Sequence, residues 1–102
     1  MNRNARIAAL LVADDPVRAK GYELKLDIDG YTVTTVYSVE EARKQLSRAR
    51  PQVIFAMQPM LAQELVRLTH RRPELAEVTV IGLTQGTGRA VLLKPPLMLQ
   101  AS

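Results

Sequence analysis

The chain has 102 residues, 47% of them hydrophobic, which suits one globular domain over residues 1–102. It has no cysteine, which excludes disulfides and thiolate metal sites, and no membrane-length apolar run or signal-peptide pattern. We therefore expect a cytoplasmic protein. The net charge of +4 permits an acidic partner, but most basic residues fall on predicted helices, where solvation explains them.

The first predicted strand ends at two adjacent carboxylates. The stretch 6–15 reads R-I-A-A-L-L-V-A-D-D, and an unbroken apolar run of this length is typical of a strand buried on both faces of a parallel sheet. In such sheets the functional crevice lies beyond the carboxyl ends of the strands. We therefore predict that Asp14 and Asp15 lie at the edge of such a crevice.

Helices and strands alternate through the next 70 or so residues. Asp15 and Pro16 favour a helix start, Ser38 and Glu41 have capping-box spacing, and Gly30 is a typical helix end. The first helix is also indicated by an apolar repeat of near-helical spacing, made of Val17, Tyr22 (or Gly21), Leu24 and Ile28. After the first strand the predicted elements are helix 16–29, strand 31–36, helix 39–49, strand 52–57, helix 61–71, strand 78–83 and strand 90–93.

This alternation predicts an α/β protein whose five strands form a parallel sheet with helices on its faces. The interval from Thr84 to Lys94 departs from the pattern, because a full crossover needs about a dozen residues or more between strands. We expect the helix between the last two strands to be missing, and the C-terminal residues to form at most a turn or two of helix.

Polar side chains follow three of the predicted strands: Asp14 and Asp15, then Thr84, then Lys94 before a proline. The motifs around them are A-L-L-V-A-D-D-P, D-G-Y-T-V, S-V-E-E-A, R-P-Q-V-I-F-A, V-I-G-L-T and L-L-K-P-P, in that order. Together they cover nearly the whole chain, which resembles the receiver domain of two-component response regulators. The resemblance implies a flavodoxin-like fold and a role in phosphorelay signalling. The short interval from Thr84 to Lys94 departs from that fold, so we expect the fold to be truncated around the last strand.

One position departs from that family in a way that affects its chemistry. The resemblance implies that the acid pair helps to hold Mg²⁺, that an aspartate ending the third strand accepts the phosphoryl group, and that the threonine and lysine sense it. Here Met57 stands at the acceptor position. A thioether is neither a carboxylate nucleophile nor a hard oxygen ligand. We therefore predict no phosphoryl transfer, no catalytic residue and no cofactor, with at most weak Mg²⁺ binding.

The remaining polar residues have competing interpretations. Two adjacent acids repel, and a nearby cation relieves this, so we predict that the Lys94 ammonium points toward Asp14 or Asp15. The acid pair can instead be a helix N-cap with a solvated first turn. Thr84 can be an ordinary strand-end hydroxyl, and Met57 can be core packing.

Loss of a helix is expected to leave an apolar edge at the last two strands. Monomers seldom expose an apolar patch larger than a few hundred Å². We therefore expect this edge to be buried against a second copy, as a homodimer, or against a protein partner. The expected interface residues are Val80, Leu83, Val91, Leu93, Leu97, Met98 and Leu99.

Three functions are compatible with these features. The first is a phosphorylation-independent protein-interaction module of a signalling pathway, which is not an enzyme. The second is a receiver that still responds to phosphodonors through another acid. The third is a small nucleic-acid binder that uses its basic helices, although one Phe, three Tyr and no Trp leave little capacity for base stacking.

Overall fold

The structure is a computed structural model that describes residues 6–57, 59–83 and 90–95, with backbone only at positions 59 and 60. Its strands and helices alternate as far as the fourth strand, and within these ranges no helix is long and apolar enough to cross a membrane. The elements are β1 (Ile7–Val12), α1 (Pro16–Ile28), β2 (Tyr31–Val36), α2 (Val39–Arg48), β3 (Val53–Ala56), α3 (Pro59–Arg71), a 3₁₀ helix (Pro73–Leu75), β4 (Thr79–Leu83) and β5 (Ala90–Lys94).

The five strands form one mixed sheet in the order β2-β1-β3-β4-β5. Strands β1 to β4 are parallel, and β5 runs antiparallel to β4. The α/β class is confirmed, but the prediction of a fully parallel sheet is wrong. Only positions 84–89 separate β4 from β5, and a connection this short cannot return the chain to the starting end of the sheet as a crossover must.

Helices cover both faces of the sheet, because alternate residues of each strand point in opposite directions. On one face the side chains pack under α2 and α3, and on the other they pack under α1. The α2–α3 side includes Leu10, Val12, Ile54, Val80, Ala42, Leu46 and Leu65, and the α1 side includes Leu11, Phe55, Met57, Leu83, Ala19 and Leu26.

The helix ends follow the local sequence signals. The Asp15 carboxylate accepts from the Val17 N–H at 3.3 Å, and the Ser38 hydroxyl accepts from the Glu41 N–H at 3.1 Å, so both predicted N-caps are confirmed. Gly30, with φ of 104°, turns the chain from α1 into β2. This left-handed backbone is strained for other residues, which explains the glycine.

Candidate functional site

The acid pair lies at the carboxyl ends of the parallel strands, as predicted. Parallel pairing continues one residue beyond β1 and β3, since the Met57 N–H donates to the Val12 carbonyl at 3.0 Å. On the other side of β1, the Ala13 N–H donates to the Val36 carbonyl at 2.9 Å. These bonds fix the backbone directly before Asp14 against its two neighbouring strands.

Among the described residues, Arg18 on the first turn of α1 is a counter-ion of the acid pair. Its Nη2 lies 2.6 Å from Asp14 Oδ2, and its Nε lies 3.7 Å from Asp15 Oδ2. The other Asp15 oxygen caps α1. The N-cap interpretation of the acid pair is therefore confirmed for Asp15. Sequence reasoning missed Arg18, although its position four residues after Asp14 is the usual spacing of a helical ion pair.

Lys94 lies at the opposite end of the sheet, so the prediction that its ammonium faces the acid pair is wrong. Its Nζ donates to three backbone carbonyls, those of Leu75 at 3.2 Å, Ala76 at 3.2 Å and Val78 at 2.7 Å. The residue is 3% exposed. This burial lowers the pKa of Lys94, and the nearby Glu77 carboxylate partly opposes the effect by raising that pKa.

Two features of β5 place Lys94 at the end of the sheet opposite the acid pair. Because β5 is antiparallel, its last residue lies beside the start of β4. The register also shifts, so that Lys94 pairs with Val80, where unbroken pairing from Ile81 and Leu92 would place Leu93. Paired residues point to the same face, and the Val80 side chain belongs to the α2–α3 side together with Leu75. The ammonium is thereby aimed at the 3₁₀ helix and the turn that follows it.

Met57 is part of the core. Its side chain is buried on the α1 side of the sheet, near Leu11, Phe55 and Leu83, so the packing interpretation of this residue is confirmed. Thr84 lies outside the described residues. The structure thus brings Asp14, Asp15 and Met57 to one end of the sheet and places Lys94 at the other.

The acid pair is arranged for capping and ion pairing. Within residues 6–57, 59–83 and 90–95, no group of three acidic or histidine side chains is close enough to share a metal ion. The Arg18 guanidinium already occupies the direction from which a cation would approach Asp14 Oδ2. Compensation of charge by an arginine and stabilisation of the first turn of α1 are the roles that these contacts support.

The predicted interface divides into buried and exposed residues. Val80 and Leu83 are buried, so their predicted exposure is wrong. The reason is that β4 is an interior strand, and both side chains pack into the two cores. Val91 and Leu93 are exposed, and so is Leu92, which sequence reasoning missed. The other predicted interface residues, Leu97, Met98 and Leu99, lie outside the described ranges.

Comparison of the chain with protein-family models, curated proteins and solved structures found no match.

Proposed function

We propose that this chain is a flavodoxin-like, receiver-like signalling domain that has lost phosphoryl transfer and acts as a protein-interaction module rather than an enzyme. The strand order β2-β1-β3-β4-β5 supports this, since it is the order of flavodoxin-like sheets. The acid pair after β1 supports it too. The antiparallel β5 limits the likeness to the first four strands.

Loss of phosphoryl transfer is supported by the positions of two side chains. Met57, at the acceptor position, is buried in the core and has no oxygen to attack phosphorus. The resemblance gives Lys94 the role of a phosphate sensor, but its ammonium donates to backbone carbonyls at the far end of the sheet. A response to phosphodonors would need an acceptor from elsewhere in the chain, and it would have to act without Lys94 as a sensor.

The observation that carries the proposal is the apolar edge formed by β5. Three consecutive residues, Val91, Leu92 and Leu93, are 45, 56 and 41% exposed. The opposite edge strand, β2, exposes Thr32 and Thr34 instead. An apolar edge strand is a template for pairing with another chain, and proteins usually protect such edges with charge or proline. Exposure of this edge is therefore explained if another polypeptide covers it.

An extended segment fits this edge by strand addition. Main-chain hydrogen bonds would supply much of the affinity, and apolar side chains of the added strand would cover Leu92 on one face and Val91 on the other. We assign this segment to a protein partner. Pairing of β5 with β5 of a second copy is the other arrangement that fits, because a two-fold axis at Leu92 sets Val91 opposite Leu93.

The proposal is tested by affinity capture from the native host with three baits: the wild-type chain, Leu92→Glu and Thr34→Glu. A charge at Leu92 should abolish retention of the partner. If the chain instead pairs with itself through β5, the same charge should abolish the dimer in sedimentation. The same charge at exposed Thr34, on the other edge strand, is the matched control and should change neither. Adding acetyl phosphate with Mg²⁺ should alter neither retention nor the intact mass of the chain.

Equal retention by all three baits, or a phosphoryl mass gain that increases binding, would contradict the proposal. Leu92 is a better site for the charge than Leu83, because Leu83 is buried and a carboxylate there would disturb the core.

A further inference from the structure

Helix α1 carries apolar side chains on two opposite sides. Ala19 and Leu26 pack against the sheet, whereas Val17, Leu24 and Ile28 are 80, 63 and 75% exposed. Most residues of the apolar repeat from which we predicted this helix therefore lie on its outer surface. Because the inner side is already used by the core, the outer stripe has no role in packing the described part of the chain.

The stripe has the spacing of a helix–helix contact. Val17, Gly21, Leu24 and Ile28 follow one another at intervals of four, three and four residues, which is the repeat of a coiled-coil seam. They extend over roughly 16 Å of helix. This is the geometry by which one helix packs lengthwise against another.

Gly21, in the middle of the stripe, has no explanation within the described part of the chain. Its φ is not positive, and a Cβ at this position would meet nothing within 4 Å. Glycine inside a helix is less favourable than alanine, so alanine at this position would make the helix of a monomer more stable. Close approach of another chain is the remaining common reason for glycine in an element interior.

We infer that α1 pairs with α1 of a second copy in antiparallel orientation, through a surface distinct from the β5 edge. A two-fold axis between positions 22 and 23 places Leu24 of each copy over Gly21 of the other, and Val17 over Ile28. Each large side chain then meets a small or medium one, so the seam is complementary to itself.

The charges beside the seam agree with this orientation on one flank. In an antiparallel pair Lys20 lies beside Asp27 of the second copy, twice by symmetry. Asp27 already accepts from Arg6 through Oδ1 at 2.6 Å, but a carboxylate has capacity for further donors. Such exposed pairs contribute more to orientation and specificity than to affinity.

The other flank brings Arg18 near Lys25 of the second copy. The Arg18 guanidinium is turned toward Asp14, with Asp15 close by, which compensates its charge. A parallel pair would instead set Lys20 beside Lys25 of the second copy, where no nearby carboxylate of this kind offsets the repulsion between the two lysines. The antiparallel arrangement is therefore the one that the charges favour.

The contact is small. One helix stripe falls short of the roughly 800 Å² per partner of a standard interface, so a weak, transient dimer is expected. Sedimentation equilibrium up to millimolar concentration tests it. Leu24→Glu, at an exposed position, should weaken dimerisation about tenfold or more. Thr34→Glu, at an exposed position of β2 that belongs to neither proposed surface, is the matched control and should leave this dimerisation unchanged.

A charge exchange tests the orientation. Lys20→Asp alone and Asp27→Lys alone should each weaken the dimer, and the double variant should restore it, since opposite charges again meet across the two-fold axis. A wild-type chain that stays monomeric, or dimerisation lost with Leu92→Glu but not with Leu24→Glu, would overturn the inference. The second result would leave the β5 proposal standing, so the two failures are distinguishable.

Discussion

Two charged side chains at opposite ends of the sheet do the same kind of work in different surroundings. Asp15 satisfies an N–H group at the start of α1, and Lys94 satisfies carbonyl groups at and after the 3₁₀ helix. The Asp15 side chain is 42% exposed, whereas Lys94 is 3% exposed. Water can replace the aspartate as a partner, but it reaches the lysine site far less easily. We therefore expect burial to decide how much each backbone cap contributes to stability.

The largest effect is expected at the buried cap. Lys94→Met keeps most of the aliphatic length of the side chain but removes the donor from three carbonyls. The Leu75 carbonyl still accepts from the Val78 N–H at 3.1 Å, so two carbonyls lose the donor that the lysine supplied. Leaving buried acceptors without donors costs about 1–3 kcal/mol each, and relief of the buried charge offsets part of this. We expect the free energy of unfolding to fall by about 2–4 kcal/mol in chemical denaturation.

Lys44→Met is the matched control for that measurement, because Lys44 is exposed on α2. It should change the free energy of unfolding by no more than about 0.5 kcal/mol. Equal stability of the Lys94→Met chain and the wild type would mean that the contrast between the two caps is wrong.

A smaller effect is expected at the exposed cap. Asp15→Ala removes the acceptor for the Val17 N–H and should lower the free energy of unfolding by about 1 kcal/mol. Asp15→Asn keeps a capping oxygen and should recover most of that loss in the same denaturation experiment. A larger loss for Asp15→Ala than for Lys94→Met would reverse the order predicted from burial.

The smallest effect is a dependence of stability on pH. Burial holds the pKa of Lys94 below that of an exposed lysine, so on raising the pH the native chain releases this proton before the unfolded chain does. The unfolded state then binds more protons, and stability rises with pH up to the unfolded pKa of about 10.4. The stability difference between wild type and Lys94→Met should therefore grow across this alkaline window. A difference that shrinks there would show that the pKa of Lys94 is raised.

Local signals in the sequence predicted the elements well. Asp15, Ser38 and Gly30 act through bonds and backbone angles within a few residues, so their effects can be read without the fold. The candidate site was predicted less well. Asp14 and Asp15 occupy the expected end of the sheet, but their counter-ion is Arg18, and Lys94 serves another purpose.

The sequence by itself determined the alternation of elements, the burial of Met57 at the end of an apolar run, and the absence of room for a crossover before the last strand. Only the tertiary structure decided the direction of β5 and the one-residue register shift that aims Lys94 at backbone carbonyls. It also decided which side of α1 meets the sheet. The physical reason is that capping and periodicity are local, whereas strand direction, register and the choice of packed face depend on contacts between residues far apart in the chain.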